Sequence, residues 1–168
     1  MSEIRLPAEL PTDRLTAIID TREQLPLDLS PLTCEVGTLP TGDYSLRGLE
    51  ASVVVERKSL GDLVACCGRE RDRFQRELDR LRAYPHKLLL VESSFAEIDA
   101  AQWRGKVTPR VVHASLVAWQ RDGIPVCLAG NRERAGIIAR DFLVACARRR
   151  WRELRELAGV VKHREGGR

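Results

Sequence analysis

The sequence contains no long apolar run, no signal peptide and no internal repeat. A membrane-spanning helix needs about 20 consecutive apolar residues, so none is predicted. The 168 residues are 43% hydrophobic and 31% charged, which is the composition of an ordinary globular domain that can bury a core of its own. We therefore expect one soluble, intracellular domain.

Cysteine and histidine are too few and too scattered to suggest a disulfide framework or a zinc site. The number of cysteines is odd, none forms a C-x-x-C pair, and the three histidines lie far apart. We interpret the cysteines as small buried apolar residues of a protein in a reducing compartment. These residues are Cys34, Cys66, Cys67, Cys127 and Cys146.

Lysine is also scarce. The 28 basic residues include only four lysines, at positions 58, 87, 106 and 162, and the net charge is +4. An excess of arginine suits the recognition of phosphate groups, and a GC-rich genome would produce the same bias. Both explanations stay open, and the mild positive charge is compatible with a polyanionic partner without requiring one.

The order of predicted elements indicates an α/β domain. Strands are predicted in "LTAIIDTR", "TCEVGTL", "PTGDYSL", "ASVVVERK", "KLLLVES" and "IPVCLAG". Helices are predicted from Ser59 and over residues 69–83, 95–103, 111–121 and 132–157. This order favours a mixed central sheet with helices on both faces. We expect an N-terminal arm over residues 1–14, the domain over 15–158 and a loose polar tail over 159–168.

The strand "VVVERK" places charged residues at the end of an apolar run. Because side chains alternate along a strand, Glu56 and Lys58 should share one face while Arg57 points to the other. A carboxylate beside an ammonium suits metal-assisted hydrolysis, in which the carboxylate holds a divalent cation and the lysine holds or polarises the attacking water. The alternative is an ordinary salt bridge at a strand end.

Other acidic residues follow apolar strands or a permissive turn. Asp20 ends the strand "LTAIID", Glu23 comes three residues later, and Asp43 follows Gly42. If these strand ends converge, several carboxylates meet at one point, where their repulsion is costly unless a cation neutralises it. Hard oxygen ligands favour Mg²⁺, with Mn²⁺ as a substitute. Alternatively, Asp20 is a cap or turn residue and Asp43 belongs to an ordinary Gly-Asp turn.

The ordered motifs "DTRE", "GDY", "VVVERKSLGD" and "DRF" resemble the nuclease domain of the XPF family of structure-specific endonucleases, mainly over residues 15–92. The resemblance implies a restriction-endonuclease-like fold. It also implies Mg²⁺-dependent hydrolysis of phosphodiester bonds in branched, flap or junction DNA, in repair or recombination. The alternatives are a nickase or junction resolvase on the same fold, or a non-catalytic DNA-binding or scaffold subunit.

The resemblance also assigns roles to individual residues. It implies metal ligation by Asp43 and Glu56, with Asp20 joining them, and an acidic pocket completed by Glu23. Lys58 would act on the water. Arg57 would contact a phosphate or brace the site, and Asp62 would orient the loop that follows Lys58.

The chain departs from the family pattern in two respects. Arg73 and Phe74 match the family's motif on the helix that follows, but Glu77 stands where the family usually has glutamine. Tandem helix-hairpin-helix modules, which usually follow the nuclease domain, are not found in these residues. We expect a free-standing member from a bacterial or phage genome, located in the cytoplasm or at the nucleoid. It could pair through residues 111–140 as a homodimer or recruit a separate DNA-binding protein.

The predicted helix over residues 69–83 carries a stripe of arginines, and Arg69, Arg73 and Arg76 are the candidates for DNA binding. The alternative is a solvated helix face stabilised by Asp72–Arg76 and Arg73–Glu77 pairs. The three tryptophans, at positions 103, 119 and 151, belong more often to a core or an interface than to a base-stacking platform.

Overall fold

The structure, a computed structural model, describes residues 6–165, and side chains only up to residue 159. The strands are β1 (Thr16–Asp20), β2 (Thr33–Gly37), β3 (Tyr44–Leu46), β4 (Val53–Lys58), β5 (His86–Val91) and β6 (Val126–Leu128). The helices are α1 (Leu60–Cys67), α2 (Arg71–Arg82), α3 (Phe95–Ala100), α4 (Pro109–Arg121) and α5 (Arg132–Glu165), and a 3₁₀ helix spans Thr12–Arg14.

The six strands form one mixed sheet in the order β2-β1-β3-β4-β5-β6. β3 runs antiparallel to β1 and β4, whereas β1 and β2 are parallel, as are β4, β5 and β6. The short turn between β3 and β4 permits the antiparallel pairing, and the helical segments after β4 and β5 provide the crossovers that parallel strands require. The predicted mixed α/β architecture is confirmed.

Helices cover both faces of the sheet. α5 packs on one face, where Leu143 joins Tyr44 and Leu90 in the core. On the other face the helices α1, α2 and α4 surround Phe74 and Leu89. Successive residues of β5 therefore enter opposite cores, which is why its sequence is continuously apolar. β4 lies between these cores, so charged residues at its end begin where the apolar packing stops.

Several predicted helix boundaries were wrong, among them the start of α4, which lies at Pro109 instead of residue 111. α2 begins at Arg71, because the chain leaves the helical conformation at Gly68 (φ −126°, ψ −108°), and Arg69 therefore lies in the turn between α1 and α2. α3 ends at Ala100, where Ala101 adopts a left-handed conformation (φ 51°). α5 continues past the predicted end at 157 to Glu165, so most of the predicted polar tail is helical. Residues 1–5 and 166–168 of the predicted arm and tail lie outside the described residues.

The described part of the predicted arm rests on α5. The Trp151 indole donates a hydrogen bond to the Pro7 carbonyl (3.2 Å), and Arg155 donates to the Ala8 carbonyl (2.6 Å).

Trp119 is a core residue, 4% exposed, as predicted for the tryptophans in general. Buried cysteines are found at positions 66, 67 and 146, whereas Cys34 is exposed, contrary to the prediction.

Between residues 6 and 165, no helix combines the length and the apolar character needed to cross a membrane.

The turn that enters β3 depends on glycine at position 42. Gly42 has a positive φ of 79°, and an added Cβ would overlap the Val54 side chain and lie 3.1 Å from the Val55 carbonyl oxygen. Only glycine can adopt this backbone conformation while lying so close to β4. Gly42 thus sets the position of the next residue, Asp43, against the end of β4.

We predict that Gly42→Ala lowers the free energy of unfolding by about 3 kcal/mol, because it adds a core overlap to the cost of a left-handed conformation. Gly48→Ala is the matched control, since Gly48 has a similar φ of 82° but open space around its Cβ position. It should cost only about 1–2 kcal/mol. Urea unfolding of both variants measures the difference, and equal losses would refute the packing argument.

Candidate active site

The end of β4 directs its charged side chains to opposite faces, as the alternation of a strand predicts. Glu56 is 2% exposed, and its Oε1 accepts a hydrogen bond from the ammonium of Lys58 on the same face. The other carboxylate oxygen of Glu56, Oε2, is buried and has no hydrogen-bond partner among the described residues. Buried carboxylate oxygens rarely remain unpaired, so this atom marks a place where a ligand can bind.

Asp43 is fixed beside this carboxylate by three hydrogen bonds. Its amide donates to the Val55 carbonyl (2.8 Å), and its carbonyl accepts from the Asp20 amide (2.8 Å). Its carboxylate oxygen Oδ2 accepts from the backbone amide of Arg57 (2.7 Å). Asp43 therefore joins the ends of β1 and β4 and holds its carboxylate next to Glu56.

The two carboxylates destabilise each other's charge. Burial raises the pKa of Asp43 to about 6, despite the hydrogen bond from the Arg57 amide and the nearby ammonium of Lys58. Burial also raises the pKa of Glu56 well above its usual value, and the charge of Asp43 raises it further. A nearby cation would favour the ionised form of both groups and relieve this cost.

The donor set suits a hard divalent cation. Within residues 6–159, no three His, Cys, Asp or Glu side chains gather closely enough to form a metal cluster by themselves. Mg²⁺ commonly binds to one or two carboxylates and completes its octahedral shell with water and substrate phosphate. Asp43 and Glu56, with one unpaired buried oxygen, satisfy that requirement.

Asp20 lies at the same strand edge, but its carboxylate is already occupied. Oδ1 accepts hydrogen bonds from the backbone and side chain of Arg22 (2.9 and 2.5 Å), and Oδ2 accepts from the Leu39 amide (2.7 Å). Burial raises the pKa of Asp20, but these hydrogen bonds outweigh it and the net shift is downward. The contacts give Asp20 a positioning role, and metal ligation by Asp20 stays a prediction.

Arg57 anchors a second charged network on the other face of β4. Its guanidinium forms a bidentate pair with Glu92 (2.8 and 3.0 Å) and contacts Glu23 (3.2 Å). Glu92 in turn accepts from Arg132 at the start of α5 (3.2 Å). The hydrogen bonds to Glu92 are the main reason that the pKa of Arg57 is raised. These contacts favour bracing over phosphate contact for Arg57.

Sequence reasoning missed Glu92. It ends the buried strand β5 in "KLLLVES", the same arrangement that drew attention to Glu56 at the end of β4. The parallel register pairs Lys58 with Val91, which places Glu92 beside the end of β4. A systematic search for acids that follow apolar strands would have found it.

Lys58 is enclosed by acidic and aromatic groups. Its Nζ lies 3.8 Å from Glu77 Oε1 and 5.0 Å from the centre of the Phe74 ring. Burial lowers the pKa of Lys58, but the charges of Glu56 and Glu77 outweigh it and raise the pKa above its usual value. The raised pKa favours the protonated form of Lys58 at neutral pH, which suits a positioned cation better than a general base.

The site opens into a cleft of about 350 Å³ that Arg22 and Arg57 help to line. Glu23, Asp43 and Lys58 form part of its wall, and Asp62 closes it at the start of α1. Asp62 accepts a hydrogen bond from the Ser59 hydroxyl (2.7 Å), while the Asp62 amide donates to the same hydroxyl (3.1 Å). These contacts tie Asp62 to the loop after Lys58, and its structural role stays a prediction.

The arginine candidates are exposed but do not form one helical stripe. Arg69 lies outside α2, and its side chain is 83% exposed. Arg73 pairs with Glu70 (2.8 Å), not with Glu77 as the solvated-face alternative supposed. Arg76 is exposed on α2. DNA binding by these residues stays a prediction.

A family model described as "ERCC4 domain" matches residues 18–140, a span that includes both charged networks. The chain belongs to the ERCC4 domain family. It is thus an XPF-type nuclease domain, as the motifs predicted, and this membership supports a DNA endonuclease.

The ERCC4 domain fold is also found among solved structures. XPF from Aeropyrum pernix is 23% identical, with a TM-score of 0.65 over 84% of this chain and 69% of that one. XPF from Aeropyrum pernix in complex with DNA is 22% identical, with a TM-score of 0.62 over 80% of this chain and 66% of that one. This chain thus spans about two thirds of the length of those structures. No curated protein sequence matches it significantly.

We predict that Asp43→Asn stabilises the metal-free protein at alkaline pH. Because folding raises the pKa of Asp43 from 3.8 to about 6, its contribution to stability is full below the unfolded value and is lost as the pH rises through about 6. In chelator the variant should gain about 2 kcal/mol near pH 8, and the gain should shrink below about pH 6.

Chemical denaturation across this pH range measures the gain. Asp72→Asn is the control, because Asp72 is exposed on α2 and its loss should change stability by less than about 0.5 kcal/mol at any pH. A difference between Asp43→Asn and the parent that does not vary with pH would contradict the assignment.

Proposed function

We propose that this ERCC4 domain is a Mg²⁺-dependent DNA endonuclease that cuts branched, flap or junction DNA in repair or recombination. The observation that carries the proposal is the unpaired, buried Glu56 oxygen, which lies behind two residues that line an open cleft, Asp43 and Lys58. DNA in the complex of the Aeropyrum pernix XPF structure, to which this chain is similar, adds support for the substrate class.

Asp43 and Glu56 would hold the metal ion. Mg²⁺, or Mn²⁺ in its place, would supply charge that neutralises the phosphodiester and lowers the pKa of the attacking water. The protonated Lys58 would orient that water or a phosphate oxygen through a charge-assisted hydrogen bond. Its contact with Glu56 keeps the ammonium on the side of the strand where the metal ligands lie.

The network on the opposite face would keep this geometry rigid. Arg57 is held by Glu23 and Glu92, and its backbone amide holds the carboxylate of Asp43. A shift of Arg57 would therefore move a metal ligand directly. This linkage gives Arg57 and Glu23 positioning roles in catalysis, since misplacement of a reacting group by about 1 Å can cost about 100-fold in rate.

The exposed residues Arg69, Arg73 and Arg76 would contact DNA phosphates near the cleft. For partners, a homodimer would use the segment over residues 111–140, where Val117 is 67% exposed and Ile137 is 43% exposed. A separate protein could supply additional DNA contacts. The homodimer proposal follows from these exposed apolar side chains, and the proposal of a separate protein follows from the helix-hairpin-helix modules that these 168 residues do not contain.

The second candidate function is a non-catalytic DNA-binding or scaffold subunit. The burial of Asp43 and Glu56 argues against it, because two desolvated carboxylates lower stability and repel DNA phosphate. DNA binding alone has no use for that arrangement. A metal-dependent enzyme does, because the cation restores the charge balance.

We predict metal-dependent cleavage of labelled flap and junction DNA that EDTA abolishes and Mg²⁺ or Mn²⁺ restores. Lys58→Met should bind Mn²⁺ nearly normally in calorimetry but cut about 100-fold more slowly in single-turnover assays, because a positioned charge is lost. Glu56→Gln should lose metal binding and cleavage together. Cleavage in chelator, or a wild-type rate for Lys58→Met, would favour the scaffold alternative or another mechanism.

We also predict that Glu77→Gln retains or increases cleavage. The change restores the residue usual in the family and removes a negative charge 3.8 Å from Lys58 and close to the incoming phosphate. Asp72→Asn removes the same charge from the solvent-exposed face of α2 and should leave the rate unchanged. A folded but inactive Glu77→Gln would instead identify Glu77 as a working ligand.

A further inference from the structure

A second, larger groove lies on the far side of α1. It has a volume of about 470 Å³ and separates α1 from the loop that joins α3 to α4. Val64 and Val107 give it an apolar floor with Trp103, and Arg69, Arg104 and Lys106 stand along its rim. This volume falls within the range of about 300–1,000 Å³ typical of ligand sites.

The groove is preformed. The Trp103 indole donates a hydrogen bond to the Val107 carbonyl (2.8 Å), which closes the loop on itself. At Gly68 an added Cβ would lie 2.7 Å from the Val107 side chain, so the loop sits directly on the end of α1. The partly exposed indole is therefore held in place beside the rim instead of moving with a free loop.

The lining of the groove is more basic than that of the active-site cleft, where three basic residues are balanced by three acidic ones. Of the ten described residues that line the groove, three are basic and none is acidic. Arg104 and Lys106 are exposed, and Arg69 has only a loose ion pair with Glu70 (3.7 Å). An apolar floor with an aromatic side chain and a cationic rim together suit a ligand that combines flat rings with phosphates.

The groove and the cleft share helix α1. Asp62 in the first turn lines the cleft, while Val64 and Gly68 line the groove. The helix has eight residues, so it is about 12 Å long at 1.5 Å per residue. A DNA strand with one phosphate in the cleft could therefore reach the groove within a few nucleotides.

We propose that this groove binds an unpaired segment of the DNA substrate, with bases on the floor formed by Trp103, Val64 and Val107 and phosphates on the rim. The inference rests on the proposed endonuclease function and adds a specificity site to it. Duplex DNA keeps its bases stacked inside, so only single-stranded DNA could use the apolar floor. Discrimination of branched DNA would then begin beside the active site.

The test is binding of fluorescent oligonucleotides by the full chain in EDTA, where no metal-dependent cleavage occurs. Arg104→Ala/Lys106→Ala should weaken binding of single-stranded DNA about tenfold and lower its salt slope by about 1.4, since each phosphate contact contributes about 0.7. Binding of blunt duplex should change less than about twofold. The control is Arg148→Ala/Arg152→Ala, which removes the same charge from α5 on the other face of the sheet. It should not weaken binding of single-stranded DNA more than binding of duplex.

A second pair of variants tests whether DNA bases stack on Trp103 in the apolar floor of the groove. Trp103→Phe and Trp103→Leu both lose the hydrogen bond to Val107, but only phenylalanine keeps an aromatic ring. Trp103→Leu should therefore bind single-stranded DNA about tenfold more weakly than Trp103→Phe. Equal affinities for this pair, together with no selective effect of the rim variant, would overturn the proposal. So would an absence of single-strand binding by the parent chain.

A labelled poly-glutamate peptide tests whether the groove instead binds an acidic segment of another protein. If the rim variant loses the peptide but not single-stranded DNA, the groove is a protein-docking site and the proposal fails. Cleavage with Mg²⁺ is measured separately. If the protein binds single-stranded DNA through the groove but never cuts DNA, only the endonuclease proposal is refuted. If the protein cuts DNA but the groove variants bind single-stranded DNA normally, only the groove proposal is refuted.

Discussion

The arrangement of the site depends on two neighbouring carboxylates, Glu56 near the end of β4 and Asp43 in the turn that enters β3. Glu56 is buried and Asp43 is partly buried in the wall of the cleft, and desolvation is the main reason that the pKa values of both are raised. The adjacent ammonium of Lys58 offsets only part of the cost. Such a cluster persists because the two packed cores around β4 stabilise the strand that bears Glu56 and Lys58 and that holds Asp43 by hydrogen bonds. The fold thus stabilises the site, and a bound cation would remove the remaining repulsion.

Most of what could be predicted from the sequence follows from the two-residue period of strands. Apolar runs located all six strands, and alternation placed Glu56 and Lys58 on one face and Arg57 on the other, as the contacts confirm. The helix boundaries were less predictable, because local backbone breaks decided them. Gly68 interrupts the α1–α2 region and leaves Arg69 outside the helix, although the charge pattern alone suggested one continuous stripe.

Contacts between distant segments could not be predicted, because they depend on sheet register. Glu92 braces Arg57 from 35 residues away, and Arg132 reaches Glu92 from 40 residues away. The strand-end rule correctly predicted that Asp20 lies at this edge of the sheet. It could not reveal that the Leu39 amide and Arg22 occupy both of its carboxylate oxygens. A residue type at a strand end therefore predicts location better than it predicts role.

The charges around α1 decide how this domain can attract a polyanion. A helix start often binds phosphate through free backbone amides. At α1, however, the Ser59 hydroxyl already accepts from the Asp62 amide, and the Asp62 carboxylate adds negative charge to that turn. The backbone there is a poor phosphate site, so attraction has to come from side chains. In the cleft, three basic residues are balanced by three acidic ones, whereas Arg69, Arg104 and Lys106 line the neighbouring groove without an acidic residue beside them. DNA would thus be held mainly beside the reacting phosphate, which leaves the cleft free to concentrate negative charge around a metal ion.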